Sequence, residues 1–421
     1  MAYIPPHKRH SKDAESPTPT PTPESLIPKF KRNVQLRASN TKADRSGRII
    51  YSNYAISRWF AVGLDDGNGD TSSIHLKPVS VESIERKTGE KPAILMKSNL
   101  NKENNEVKGS PWSSIAENIL PDLLSSFEKV RAETECKDLK DVKPGMVARF
   151  GKILFQGSPS MNLGSVSKSC ITETILSKLK RTFYTSLPAS YMGNIMAEVV
   201  SKIGVDFAEV KDVFQVKVYL PTKLYFLDHD SRLIDYLSDS TQPDSTISCK
   251  CRVKDDKKLR LYKAKLNPVR DMFIDISCLD MDLDLRLALS HKRILTSMTE
   301  DEMQSIKNLI DSAVLDPDVK GGLRWSFGKA TSGDRYSVVG VWHTTSTAYQ
   351  NSSIRLKVRY ADRFDFKTTY GEDSKEVILK LKGIVSGLLE QDVATHAISD
   401  MLKDNLSLIW RHFLRCEPFR T

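Results

Sequence analysis

Residues 354–360, Ile354-Arg355-Leu356-Lys357-Val358-Arg359-Tyr360, alternate apolar and cationic side chains. A period of two is the side-chain period of a β-strand, so apolar groups fall on one face and cations on the other. Residues 377–382 repeat the pattern: Val377, Leu379 and Leu381 alternate with Ile378, Lys380 and Lys382. If the two segments share a sheet, one face carries Arg355, Lys357, Arg359, Lys380 and Lys382. With Tyr360, Phe364 and Phe366 nearby, that face has the ingredients of a nucleic-acid surface. The acids Asp362, Asp365, Glu372, Asp373 and Glu376 are interleaved, which is equally the composition of an ordinary solvated face.

Outward from these segments, a β-meander is predicted over about 323–381. Strands are also predicted at 49–64, 75–83, 93–96 and 146–155, with a mostly β region over 209–295. There Ile247–Val253 and Leu259–Lys265 flank KDDKK as a hairpin. Helical periodicity marks 110–130 (Pro111 at the first position, Pro121 inside as a kink), 168–185, 189–203, 299–313 and 385–414. Thr299 and Glu302 form a capping box for the fourth of these. Strands in runs, with helices grouped between and after them, indicate an α+β fold: a large antiparallel sheet with packed helices.

Residues 1–46 differ. SPTPTPTP at 16–23 favours an extended polyproline course, and apolar groups are sparse. They are too few to offset the entropy of ordering, so the segment reads as a disordered, basic, proline-rich tail on a body at 47–421. A sub-boundary is expected near 135–145 (CKDLKDVKPG). Of the net charge of +10, residues 1–48 hold +6: ten Lys and Arg against four acids. Phosphate attraction is therefore expected to begin in the tail, at Lys8, Arg9, Lys29, Lys31, Arg32 and Arg37. Tyr3, Pro5 and Pro6 add an aromatic anchor on a preset backbone. Ser16, Thr18, Thr20 and Thr22 each precede proline. Phosphorylation of all four would add about −6 to −8 and cancel the tail's charge.

Hydrophobic residues are 39% and charged residues 28% of the 421, an ordinary globular balance. No apolar run is long enough to span a membrane, and the basic, proline-containing start is unlike a signal peptide. The expectation is an intracellular protein, cytoplasmic or nuclear. Its six cysteines, without a CxxC pair, read as free thiols. Cys249 and Cys251 share a strand face with Ile247 and Val253, as small hydrophobes do.

Signals for chemistry are weak. Asp280, Asp282 and Asp284 alternate with Met281, Leu283 and Leu285. Three carboxylates on one strand face could hold Mg²⁺ for phosphoryl chemistry, although a solvated strand has the same pattern. Gly157–Ser169 joins a strand to a helix, a context for anions, but lacks Walker spacing. The histidines at 7, 10, 75, 229, 291, 343, 396 and 412 form no HExxH pair, and there is no GxSxG elbow. No catalytic residue and no cofactor is indicated.

Tyr3-Ile4-Pro5-Pro6-His7 resembles the YIPPHLR opening of some DEAD-box RNA helicases, with Lys8 in place of the leucine. That family presents this segment to translation-related partners. The blocks MAYIPPHKRHSKD, AISRWFAVGLDD, VSVESIERKTGEKP, SCLDMDLDLRLALSHKRILT, VKGGLRWSFGKATSGDRYSVVGVWHTT and RLKVRYADRFDF together resemble a plant-specific family with a domain of unknown function. This resemblance implies a plant source and assigns no catalytic residue. The leading expectation is a non-enzymatic factor whose tail binds RNA or an acidic protein. A Mg-dependent enzyme on phosphate-containing substrates and a pure protein–protein adaptor are the alternatives.

Overall fold

The computed structural model describes residues 51–62, 64, 74–97, 110–135, 143–166, 171–220, 226–227, 233–234, 245–254, 258–266, 269–292, 300–326, 331–332, 336–366, 368–390 and 393–416. The tail positions, the sites Ser16, Thr18, Thr20 and Thr22, Thr299 and most of the expected sub-boundary lie outside these residues.

The architecture is α+β, built on a 14-stranded sheet. Its strands are β1 (Tyr51–Val62), β2 (Ile74–Pro78), β3 (Ala93–Lys97), β4 (Lys143–Gln156), β5 (Lys180–Tyr184), β6 (Asp206–Leu220), β7 (Ser245–Val253), β8 (Leu259–Leu266), β9 (Val269–Cys278), β10 (Asp284–Lys292), β11 (Tyr336–Gln350), β12 (Ile354–Asp365) and β13 (Tyr370–Leu381). The fourteenth is the short Thr331–Ser332, paired to β11. The main order is β1-β9-β10-β4-β13-β12-β11-β6-β7-β8, with β3 and β5 pairing the far end of β4 and β2 pairing β3. Neighbours are antiparallel except β1 and β9, which run parallel.

β4 serves two sets of partners. Its first half pairs β10 and β13, and its last residues pair β5. Gly151 sits at the changeover, where a Cβ would lie 2.0 Å from the Tyr184 carbonyl oxygen, so only glycine lets β5 come this close.

One sheet face is covered by helices. Leu285, Leu287, Leu289, Leu356, Val358, Val377 and Leu379 are buried beneath helices α1 (Pro111–Glu135), α2 (Lys382–Leu389) and α3 (Thr395–His412). These contribute Ile115, Ile119, Leu123, Ile384, Leu402 and Leu406. The sides of the expected 135–145 break thus share one core, α1 before it and β4 after. Helix α4 (Glu300–Asp311) covers β6 and β7 through Ile306, Leu309 and Ile310.

Three readings are corrected. Residues 75–83 split into β2 and a helix at Glu82–Thr88, because Ser80 and Glu85 close a helix start: Glu85 accepts from the Val81 amide. Among the described residues of 168–185, the short helix Glu173–Ser177 precedes β5, since Lys180–Tyr184 fills the edge of β4. The segment 385–414 is two helices, α2 and α3. Pro121 lies inside an unbroken α1.

A cationic sheet face as the candidate functional site

The face opposite the helices is polar, and strand register determines what it carries. β12 and β13 pair Arg355 with Lys380, Lys357 with Ile378, Arg359 with Glu376 and Arg363 with Glu372. Since Leu356, Val358, Val377 and Leu379 point to the core, all of these point the other way. β4 then places Arg149 beside Ile378, and β10 places Arg286 beside Arg149. On the other flank β11 aligns Ser346 with Arg359, and β6 aligns Lys211 with Ser346. β7 adds Lys250 opposite Gln215.

The expected positions Arg355, Lys357, Arg359 and Lys380 are therefore brought together. Lys382 is not: it starts α2, and its Nζ donates to the Asn351 carbonyl at 2.5 Å. The aromatic neighbours are also elsewhere. Phe364 and Phe366 stack edge-on at 5.0 Å within the helix-side core under α4, and Tyr360 has the parity of the helix side. Trp342 is an aromatic ring on the cationic face, with Lys217 Nζ 4.3 Å from its centroid, and Phe273 is another, beneath Arg286.

The face has two charge environments. Around Glu376, which is 3% exposed, the guanidinium groups of Arg359 and Arg363 make close ion pairs and Arg149 approaches to 3.3 Å. Thr185 Oγ1 donates to the same carboxylate at 3.2 Å. Burial alone would raise this carboxyl, but the charges of Arg359, Arg149 and Arg363 override it and hold it well below the usual carboxylate range. Burial pushes Arg149 down to about 10, against the pull of Glu376. Arg286 grips the buried Asp275 bidentately, at 2.5 and 2.7 Å.

Around Lys357 the balance is different. Arg355, Lys357, Lys380, Lys211 and Lys250 share the face with Glu209 and, at its edge, Asp206, which β6 aligns with Gln350. Glu209 pairs with Arg355 and Lys211. Lys357 and Lys380 are half-buried and have no ion-pair partner among the described residues. Burial, then the charges of Arg359, Lys250, Lys380 and Lys211, push the Lys357 amine down to about 7. Lys380 is lowered by burial, Arg355, Lys250 and Lys211. Lys250 lies four strands from Lys380, about 19 Å on a flat sheet, yet it acts on it. Arg359 Nε, Arg363 Nε and Ser374 Oγ, on the same face, are buried with no hydrogen-bond partner among the described groups.

The aspartate reading is overturned in its geometry. Residues 279–283 form the turn between β9 and β10, so no strand alternation exists there. Asp280 pairs with Lys97 at 3.2 Å, and Asp282 accepts from the Cys416 amide at 2.9 Å. Asp284, buried at the start of β10, accepts from the Ile153 and Cys278 amides at 2.8 and 3.0 Å. No group of three or more His, Cys, Asp or Glu among the described residues could hold a metal ion. The Gly157–Ser169 loop contains one helical turn, Leu163–Val166, and Asn162 Oδ1 accepts from the Gly164 amide at 2.7 Å. Cys249 and Cys251 are buried thiols, the first pushed up to about 12 by burial. Val253, expected beside them in the core, is exposed.

Sequence reading missed Arg149, Arg286, Arg363, Lys211 and Trp342, and took Glu376 for a surface acid. Alternation within 146–155 and 209–217 was the available signal; adjacency of those strands to β12 was not.

The fold and face define a large mixed-sheet α+β protein with a helix-covered side and a cationic side. The chain belongs to the DUF7903 family, a domain of unknown function, which it matches over residues 43–225 and 228–413. No curated protein matches it. Solved structures give distant likenesses. The S. pombe Pct1 RNA triphosphatase is 10% identical with a TM-score of 0.40, covering 74% of this chain and 94% of that one. Its complex with the Spt5 CTD gives 11% and 0.40, covering 75% and 99%. PH1012 protein from Pyrococcus horikoshii OT3 gives 8% and 0.20, covering 54% and 87%. No described helix is long and apolar enough to cross a membrane.

Proposed function

We propose that this protein is a non-enzymatic binding factor that holds single-stranded RNA by its phosphates on the cationic sheet face. The observation that carries the reading is the pair Lys357 and Lys380, half-buried, without an ion-pair partner among the described residues, and on one face with Arg355, Lys211 and Lys250. Uncompensated half-buried charge costs folding free energy, and a phosphate chain supplies the missing negative charge. Trp342 offers a stacking ring at the same face. RNA is favoured over an acidic protein because guanidinium groups and a flat aromatic suit phosphate and base together. The tail residues Tyr3, Pro5, Pro6, Lys8, Arg9, Lys29, Lys31, Arg32 and Arg37 extend the contact, and phosphorylation at Ser16, Thr18, Thr20 and Thr22 weakens it. The implied setting is the cytoplasm or nucleus of a plant cell.

The test is fluorescence anisotropy of a single-stranded RNA oligonucleotide with the full chain across a salt series. The double variant Lys357→Met, Lys380→Met is expected to bind at least tenfold more weakly. Its salt slope should be shallower by about 0.7 per lost phosphate contact. Neutralising the six tail cations should weaken binding less. A tail variant that loses all binding would move the site to the tail, and an acidic peptide outcompeting RNA would favour the protein partner. No RNA binding by the native chain sinks the reading.

A further inference from the structure

We propose that Lys357 sets the specificity of the cationic face for multiply charged anions, because ligand binding is coupled to uptake of one proton at its Nζ. This rests on the RNA reading of the same face and adds the residue that tells a polyanion from a monovalent ion.

The argument begins with position. Lys357 lies mid-strand on β12, between Arg355 and Arg359. Opposite it are apolar groups, Ile378 on β13 and Ala348 on β11. The charged groups facing it are Lys380 and Glu376 on β13, Arg149 on β4, Lys211 and Glu209 on β6, and Lys250 on β7. β11 brings only Ser346, Ala348 and Gln350. Neither carboxylate serves Lys357: Glu376 is taken by three arginines, and Glu209 by Arg355 and Lys211.

The amine therefore sits where positive charge is resisted from every side. It is about half-charged near pH 7 in the free protein. A ligand with several negative charges cancels the repulsion from Lys380, Lys211 and Lys250 together and lets the amine take a proton. A monovalent anion cancels only one neighbour and leaves the amine near its free-protein charge. The protonation balances simply: one proton from solvent adds to the Nζ lone pair, and no other bond changes. Linkage then requires affinity to fall as pH rises above 7, toward tenfold per pH unit until the bound-state value is passed.

The experiment is anisotropy with the same RNA oligonucleotide and the full native chain from pH 6.5 to 9 at fixed ionic strength. Native protein is expected to lose close to tenfold in affinity per unit above pH 7. Lys357→Met should bind more weakly at pH 6.5 and show a flat profile. Lys357→Arg, always charged, should retain binding and also be flat. Reaction of native Lys357 with a reductive-methylation reagent, followed by mass spectrometry, gives a ligand-free check: reactivity should reach half-maximum near pH 7. A native pH slope that survives in Lys357→Met, or Lys357 reacting like a solvent lysine, overturns this assignment alone. RNA failing to bind at any pH overturns the binding reading beneath it as well.

Discussion

Two clusters on one sheet face, built from the same residue types, differ in what balances them. Around Glu376, three arginines share a buried carboxylate, and the hydroxyl of Thr185 completes its shell. Around Lys357, one strand over and two residues along (about 8 Å), cations outnumber carboxylates and two lysines have none among the described residues. In the first cluster every arginine reaches the Glu376 carboxylate, although Arg359 Nε and Arg363 Nε lack a hydrogen-bond partner among the described groups. In the second, two lysines reach no carboxylate among the described residues. A cationic face is thus not one property. Paired cations brace the sheet, and the two lysines without a partner among the described residues are where the proposed phosphate contacts fall.

Breaking the first cluster has the largest expected effect. Glu376→Ala leaves the half-buried Arg149, Arg359 and Arg363 together with only Glu372, 4.0 Å from Arg363, as a counter-charge, and is expected to cost about 3–5 kcal/mol in urea denaturation. A loss under about 1 kcal/mol would show that the network does not brace the sheet. The same carboxylate fixes the acid side of stability. Its folded pKa lies below its unfolded value, so its contribution is fully present above about pH 4.5 and fades as pH falls below that. Native protein should weaken through that range, and Glu376→Gln should weaken less.

The aspartates between β9 and β10 come next. Asp284→Ala orphans two buried amides, Ile153 and Cys278, and should cost about 1–3 kcal/mol. Asp280→Ala removes an exposed pair with Lys97 and should stay within about 0.5 kcal/mol. Equal losses would restore the view that the two act as a set.

One small effect has the opposite sign. Lys357→Met removes an uncompensated cation, so the free protein should gain about 0.5–1 kcal/mol at pH 6.5 while RNA binding falls. Its folded pKa, about 7, lies below the ordinary 10.5, so the penalty of the native amine is full below pH 7 and relieved as pH climbs to 10.5. The gap between variant and native stability should close across that window, as read by thermal unfolding at a series of pH values. A gap independent of pH would show that the amine is not strained by its neighbours.

Much of this was visible in the sequence because strand alternation is local. IRLKVRY and VILKLK state their own two faces, and the apolar faces of α1, α3 and α4 follow from helical spacing. Hairpin neighbours were legible too, since Ile247–Val253 and Leu259–Lys265 pair as expected. Where local pattern was borrowed from something else, reading failed. The alternation at 280–285 belongs to a turn whose carboxylates are drawn off by Lys97, Cys416, Ile153 and Cys278. The helical spacing at 168–185 yields to the unpaired edge of β4, because backbone groups at a sheet edge are satisfied by a strand.

The sequence by itself determined the α+β class and the two faces of each of β12 and β13; their pairing is what puts Lys380 on one side with Arg355, Lys357 and Arg359. Only the tertiary structure decided that β4 and β10 lie beside β13, and β6 and β7 beyond β11. That order delivers Arg149, Arg286, Lys211 and Lys250 from distant parts of the chain. It also decides that Glu376 is spent on arginines while Lys357 is left exposed to repulsion. The reason is physical: a side chain's face is set by backbone geometry over a few residues. The charge it feels is set by whichever strands the whole core brings next to it.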